Sequence, residues 1–201
     1  MGTRQKILDK ALEMFNERGI EYVGLRELAA VLSMRVSNIS YYFPTKDDLV
    51  YALSQELSRE NSELIAERES LTMTGFIGML QKVFHNHVKY RCLLLSVVHL
   101  MKQNKHLAAA YKQTQTVRNA TLTSNLQVLA DGGYLLLNEK QDLEFLVSGI
   151  SLISRFWISE AAVSLDHLDI PAQIRHYLFV VTRLLMPYAT VKGREGLVAV
   201  G

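Results

Sequence analysis

Between Pro44 and Pro171 the chain runs for more than half of its 201 residues without a proline, and Pro187 is the only other one. Proline removes a backbone donor and clashes with the preceding turn, so its absence leaves long stretches free to be helical. Hydrophobic residues make up 49% of the chain, enough for a packed core and too many for a disordered segment. An all-α fold is the expectation.

Cys92 is the one cysteine, so no disulfide can form within the chain, which fits a reducing cytoplasm. The first residues lead straight into a charged helical pattern without the apolar stretch of a signal peptide. Runs such as Cys92 to Val98 or Phe145 to Ile153 are too short to span a bilayer, and Arg155 and Arg183 interrupt the others. A cytoplasmic protein with no membrane partner is expected.

The net charge of +2 says nothing by itself about nucleic acid, and residues 1–50 are neutral. The distribution is more informative. From Ser70 to Ala130 there is no carboxylate, against seven Lys and Arg and four histidines, while residues 131–169 sum to −5. Any case for DNA binding must therefore rest on where particular side chains sit.

Ile7, Leu8, Ala11, Leu12 and Phe15 recur at helical spacing, with Thr3 as expected cap and Gly19 past the end. Leu25 to Leu32 reads as a short second helix, Ser33-Met34-Arg35 as a turn, and Val36 to Tyr42 as a third helix. Phe43-Pro44 ends it, because the residue before proline is pushed out of the helical region. Thr45 then caps a fourth helix, with Asp47 and Asp48 on the positive end of its dipole, running to about Glu69. Further helices are expected at about 74–89, 91–103, 105–130, 139–165 and 171–188, with Asn138 and Gln141 as a capping box. The tail from Ala189, with its three glycines, is expected to be loosely ordered. The division expected is 1–50, a helix-turn-helix domain; 51–188, a helical dimerisation and ligand domain; and 189–201, a tail.

Two short helices joined by a tight turn and packed on a longer one can place the second in a DNA major groove. Leu28, Ala29, Leu32, Met34 and Ile39 would make the internal contacts. Arg35, Val36, Ser37, Asn38, Ser40 and Tyr41 are left to the outside, with Arg26, Tyr42, Thr45 and Lys46 nearby. Asn can pair with adenine, Ser and the Val methyls can meet bases, and Arg, Lys and Tyr can reach phosphates. Lys46 beside a helix N-terminus would make a phosphate clamp. Phe43 is expected in the core, whereas Tyr41 and Tyr42 suit packing or DNA contact.

In the run Ile39-Ser40-Tyr41-Tyr42-Phe43-Pro44-Thr45-Lys46-Asp47-Asp48-Leu49 the sequence resembles the TetR family of bacterial regulators. Ile7 through Gly19 and Leu25-Arg26-Glu27-Leu28-Ala29 match the family's first two helices, so the resemblance spans residues 3–53. It implies that Tyr42 and Lys46 hold phosphates and that Ser37, Asn38 and Tyr41 face the groove. Three positions depart from the pattern: Gly24 stands where Thr or Ser usually caps, Ser33 replaces the turn glycine, and Ser40 stands where a tyrosine is often found.

The helices at 139–165 and 171–188 are rich in apolar residues, a surplus that needs a large core or a partner. The resemblance implies that they pair with their copies as a four-helix dimer interface. Leu146, Ile150, Ile153, Trp157, Ile174, Leu178, Val181 and Leu185 are the candidates, with Ser148, Gly149, Ser151 and Ser154 small enough for close approach. The resemblance also implies an effector pocket among the middle helices, for which Phe84, Arg91, His99, Met101, Lys102, Tyr111, Phe156 and Trp157 are candidates. The missing carboxylates suggest an anionic small molecule, with Arg91 and Lys102 as its cations; a solvated basic face explains them equally.

No zinc spacing, phosphate loop or nucleophile elbow is found, and His85, Cys92, His99 and His106 fall seven apart, about 10.5 Å along a helix and too far for one ion. No cofactor and no catalytic site are expected. The leading expectation is a homodimeric repressor that binds double-stranded DNA and is released by a small molecule. A DNA-binding regulator with a protein-interaction module is the alternative, and an enzyme with a helical pocket the weakest.

Overall fold

The computed structural model describes residues 2–65 and 70–198. Among them are eleven α-helices: α1 (Thr3–Arg18), α2 (Leu25–Val31), α3 (Val36–Tyr42), α4 (Lys46–Ile65), α5 (Met73–Lys89), α6 (Arg91–Leu95), α7 (Val97–Gln103), α8 (Lys105–Asp131), α9 (Lys140–Ser164), α10 (Ile170–Leu185) and α11 (Val191–Val198). A 3-10 turn, Met186–Tyr188, follows α10. The fold is all-α, with the expected helix-turn-helix at its N-terminal end. The end of the fourth helix expected near Glu69 lies outside the described residues.

The chain forms two compact units. The first runs to Arg59 and includes Lys89–Tyr111; the second takes Glu60–Val88 and the chain from Lys112 onward.

In the first unit α1 buries Ile7, Leu8, Ala11, Met14 and Phe15, and ends where Gly19 adopts φ 90°. Its N-cap is Gly2, so Thr3 is the first helical residue rather than the cap. Leu28 and Ala29 of α2 and Ile39 of α3 are buried, as are Phe43 and Leu49. The stretch expected as one helix over 91–103 is broken at Ser96 into α6 and α7.

In the second unit α9 packs on α10. Leu146, Ile150, Trp157, Ile158 and Ala161 of α9 are buried, with Ile174, Tyr177, Leu178, Val181 and Leu185 of α10. Each such Leu, Ile or Val taken out of water contributes about 1.5–3 kcal/mol before entropy is counted. A Cβ on Gly149 would lie 2.8 Å from Leu184 Cδ2, so the small residue serves contact with the chain's own α10. The capping box of α9 is Glu139 with Asp142, one residue beyond the expected Asn138 and Gln141. Asp169 caps α10 by accepting from Ala172 N at 2.7 Å.

The described part of the tail, residues 189–198, is not loose. Its segment 191–198 is α11, and Leu197 is buried. A Cβ on Gly193 would come within 2.1 Å of the Tyr134 carbonyl oxygen, and one on Gly196 within 2.8 Å of Met73 Cβ. Gly193 and Gly196, read as flexibility, are instead close-packing positions.

Candidate functional site

The turn between α2 and α3 closes through Met34 N donating to Ala29 O at 2.9 Å. Ser33 takes φ 52°, the left-handed conformation that glycine adopts without strain and other residues at a cost of about 1–2 kcal/mol. The backbone keeps the geometry of the turn although the residue has changed.

Of the seven residues of α3 only Ile39 is buried. At about 100° per residue, Ser37 and Tyr41 form the ridge opposite Ile39, with Asn38 and Ser40 on its flanks. Arg35, Val36, Ser37 and Asn38 are exposed, Ser40 is half-buried, and Tyr41 is 81% exposed against 39% for Tyr42. The two tyrosine rings meet edge to face at 5.0 Å. The helix thus presents a hydroxyl, an amide and a phenol together, beside Arg35 at its N-cap. Arg26 is also exposed, one position before Glu27, which pairs with Arg18.

Two of the residues expected at the DNA interface are otherwise engaged. Lys46 Nζ donates to the carbonyls of Ile20 at 2.9 Å and Glu21 at 3.2 Å, so two of its three donors tie α4 to the loop after α1. The Thr45 hydroxyl donates to Asp48 Oδ2 at 2.7 Å and accepts from Asp48 N at 3.2 Å, the N-terminal cap of α4. Both residues position the reading helix before they can meet DNA.

Arg4 escaped the sequence reading. Its guanidinium lies 5.1 Å from the Phe43 ring centroid, and it lines a groove of about 490 Å³ with Tyr42, Tyr51, Gln55 and Arg59. Nothing in the spacing of residue 4 points to residue 42; only folding α1 beside the end of α3 joins them.

Residues 89–111 brace the same unit. Arg91 donates through Nη2 to Asn16 O at 3.0 Å, and Cys92 N donates to Asn16 Oδ1 at 3.0 Å. Ser96 Oγ donates to Glu21 Oε1 at 3.0 Å, and Asn104 Nδ2 to Asp47 Oδ2 at 3.1 Å. Arg91 is therefore a brace rather than the expected ligand cation. Burial pushes the Cys92 thiol up to about 12, which removes it from nucleophilic chemistry near neutrality.

Of the other pocket candidates, His99 and Lys102 are exposed and Met101 and Tyr111 half-buried, all in the first unit. Phe84, Phe156 and Trp157 belong to the second, where Phe84 and Trp157 stack at 5.0 Å. The sequence reading missed the polar chain behind that stack. Trp157 Nε1 donates to His87 Nδ1 at 3.1 Å, and Asn61 Nδ2 stands 3.1 Å from His87 Nε2. An indole N–H only donates, so Nδ1 of His87 is the acceptor and the ring is neutral. Burial, with the charge of Arg118 adding, lowers the His87 imidazole to about 3.

The dimer candidates need correction. Leu146, Ile150, Trp157, Ile174, Leu178, Val181 and Leu185 are buried within the chain and form its own core, while Ile153 is half-buried. The apolar residues left outside are Phe145 (53% exposed), Leu152 (59%) and Val163 (82%) on α9, with Phe179 (55%) on α10. Phe145, Leu152, the half-buried Phe156 and Val163 follow one another at seven, four and seven residues, one stripe along α9. Helix α9 is long and apolar enough to cross a membrane by length and composition, but it spends one face on α10.

Two family models match the chain: residues 7–53 match bacterial regulatory proteins of the tetR family, and residues 55–197 the TetR bacterial transcriptional repressors. The chain is 32% identical over 95 residues to the probable HTH-type transcriptional regulator YttP of Bacillus subtilis (strain 168), covering 43% of this chain and 46% of that one. It is 31% identical over 68 residues to the HTH-type transcriptional regulator LuxR of Vibrio harveyi, covering 34% and 33%. The matches thus span less than half the length of either relative. A TetR-family regulator from Marinobacter aquaeolei VT8 has a similar fold, with a TM-score of 0.91 at 23% identity over 99% of this chain and 97% of that one. SmeT in complex with triclosan has a TM-score of 0.64 at 16% identity, over 95% and 93%.

Proposed function

The chain belongs to the TetR family of bacterial transcriptional regulators, and from that premise we propose that it is a homodimeric, sequence-specific DNA-binding repressor in the cytoplasm, released from its operator by a small molecule. The observation that carries the DNA reading is the outward face of α3, where Ser37, Asn38 and Tyr41 stand exposed around a helix anchored by Ile39. A helix so presented fits a major groove about 12 Å wide, with Asn38 able to pair with adenine and Tyr41 able to reach a base or phosphate. Arg26, Arg35, Val36, Ser40 and Tyr42 are proposed as flanking contacts, and Arg4 joins them because it shares a groove with Tyr42. Lys46 and Thr45 act mainly by holding α4.

The dimer reading is supported by the apolar stripe Phe145, Leu152, Phe156 and Val163 with Phe179, because a twofold axis places such a patch on its own copy. The effector reading is supported by the fold shared with SmeT, which has been captured with triclosan. Release then requires that the effector bind the DNA-incompetent arrangement more tightly than the competent one.

The test is selection of an operator from random double-stranded DNA by the full chain. Asn38→Ala and Tyr41→Ala are then expected to cost about 1–3 kcal/mol on the selected sequence and little on random DNA. Equal losses on both DNAs would make these residues backbone contacts. Failure to enrich any sequence would overturn the reading.

A further inference from the structure

Helices α8 and α9 meet in the second unit along a polar seam. Ser151 Oγ donates to Asn119 Oδ1 at 2.9 Å, and one turn further on Arg155 Nη2 donates to Gln115 Oε1 at 3.3 Å. Arg155 is half-buried, and its Nε is shielded from solvent without a hydrogen-bond partner. Among the described residues no carboxylate lies within ion-pair distance of it.

The reason is compositional. From Ser70 to Ala130, which takes in all of α5 and α8 but Asp131, the chain has no Asp or Glu. On α9, Asp142 is spent on the cap and Glu144 pairs with Lys140 at 3.3 Å. Glu160 is exposed and points away, about 140° round the helix from Arg155. A second arginine, Arg118, stands on α8 one position before Asn119, and its charge reaches His87 on α5. Taking part of a cation out of water without a counter-charge is unfavourable, and a guanidinium is shaped to take both oxygens of one carboxylate.

We propose that the effector is a small organic carboxylate whose carboxyl group is held by Arg155 in the α8–α9 seam, with Ser151 and Gln115 beside it. This rests on reading the protein as effector-responsive. It also moves the anion site from Arg91 and Lys102, the first a brace and the second exposed, to a half-buried cation whose Nε is shielded without a hydrogen-bond partner. Contact is by charge-assisted hydrogen bonds only, so the corresponding amide is a poor substitute.

The test uses the full chain with acetate, benzoate and octanoate, each against its primary amide, with chloride holding ionic strength constant. At a hundredfold excess over its Kd, at least one carboxylate is expected to raise Tm by about 5–10 °C, and its amide much less. Arg155→Gln is expected to weaken that carboxylate at least tenfold by calorimetric titration, while Lys112→Gln, which removes an exposed charge from α8, leaves it unchanged. Circular dichroism confirms that each variant is folded. Equal binding to wild type and Arg155→Gln, or no carboxylate shifting the wild type, overturns the proposal. Operator release separates the two layers. Release by a neutral or cationic compound alone keeps the effector reading and rejects Arg155, whereas Arg155-dependent carboxylate binding without release keeps the site and rejects its effector role.

Discussion

Helices α3 and α9 solve opposite problems. Helix α3 has seven residues and buries one side chain, Ile39; α9 has twenty-five and buries five, yet still carries Phe145, Leu152 and Val163 on the outside. A helix as short as α3 has no stability of its own, so neighbours must hold it: the turn at Ser33, the Phe43 plug and the ties of Lys46. That leaves every other position open to be chosen for chemistry. Helix α9 is held by its own burial, and its surplus apolar surface is the part that chemistry in water does not explain. Polar exposure on the first helix and apolar exposure on the second thus point to different kinds of partner.

The comparison breaks most severely at its single anchor. Ile39→Ala is expected to cost about 3 kcal/mol of stability and to abolish operator binding, whereas Val36→Ala on the outer side should stay within about 0.5 kcal/mol. Urea midpoints for the two variants check this, and a similar loss for both would mean that α3 is held by something other than Ile39.

On α9 the matching change is Leu152→Glu. It should weaken self-association by about 2–4 kcal/mol while leaving the helical content intact, since Leu152 is outside the core. Sedimentation of wild type and variant decides it. A wild type that stays monomeric at micromolar concentration removes the explanation of the stripe.

Acid tests the second unit's interior. His87 titrates near 6.5 when unfolded and at about 3 in the folded chain, so protons bind the unfolded state first. Its contribution is fully present above pH 6.5 and is lost as pH falls toward 3, about 2 kcal/mol of it by pH 5. The measurement is the urea midpoint at pH 7.5 and pH 5, and His87→Gln should flatten that part of the slope. An unchanged slope would place the proton elsewhere.

The smallest effects lie in the turn chemistry of the reading head. Ser33→Gly relieves the left-handed backbone and should gain up to about 1 kcal/mol, less glycine's entropy cost. Gly24→Ser adds a side-chain cap to α2 in open space and should gain a few tenths, roughly, by thermal melt. Loss of stability in both would mean that the departures at these positions are compensated in ways the packing does not show.

What the sequence by itself determined was local. Helical class, the span of α2, turn and α3, the stop at Phe43-Pro44 and the Thr45 cap all follow from contacts within a turn or two of chain, where residue type acts directly on the backbone. The same locality is why the exposed set on α3 could be named: removing the inward Ile39 from a seven-residue helix leaves little else. Tertiary structure decided the destination of everything else. Leu146 and Leu152 are both leucines on an apolar helix, and only the placement of α10 makes one core and the other surface. Arg91 and Arg155 are both cations beside the middle helices, and only the approach of Asn16 to the first and, among the described residues, the lack of a carboxylate within ion-pair distance of the second separate a brace from a charge without a counter-charge. The glycines of α11 look like slack until Tyr134 and Met73 are set against them. A side chain's chemistry is written where it stands in the sequence, but its partner is set by which segment the fold brings opposite, and that is a nonlocal choice made by burial.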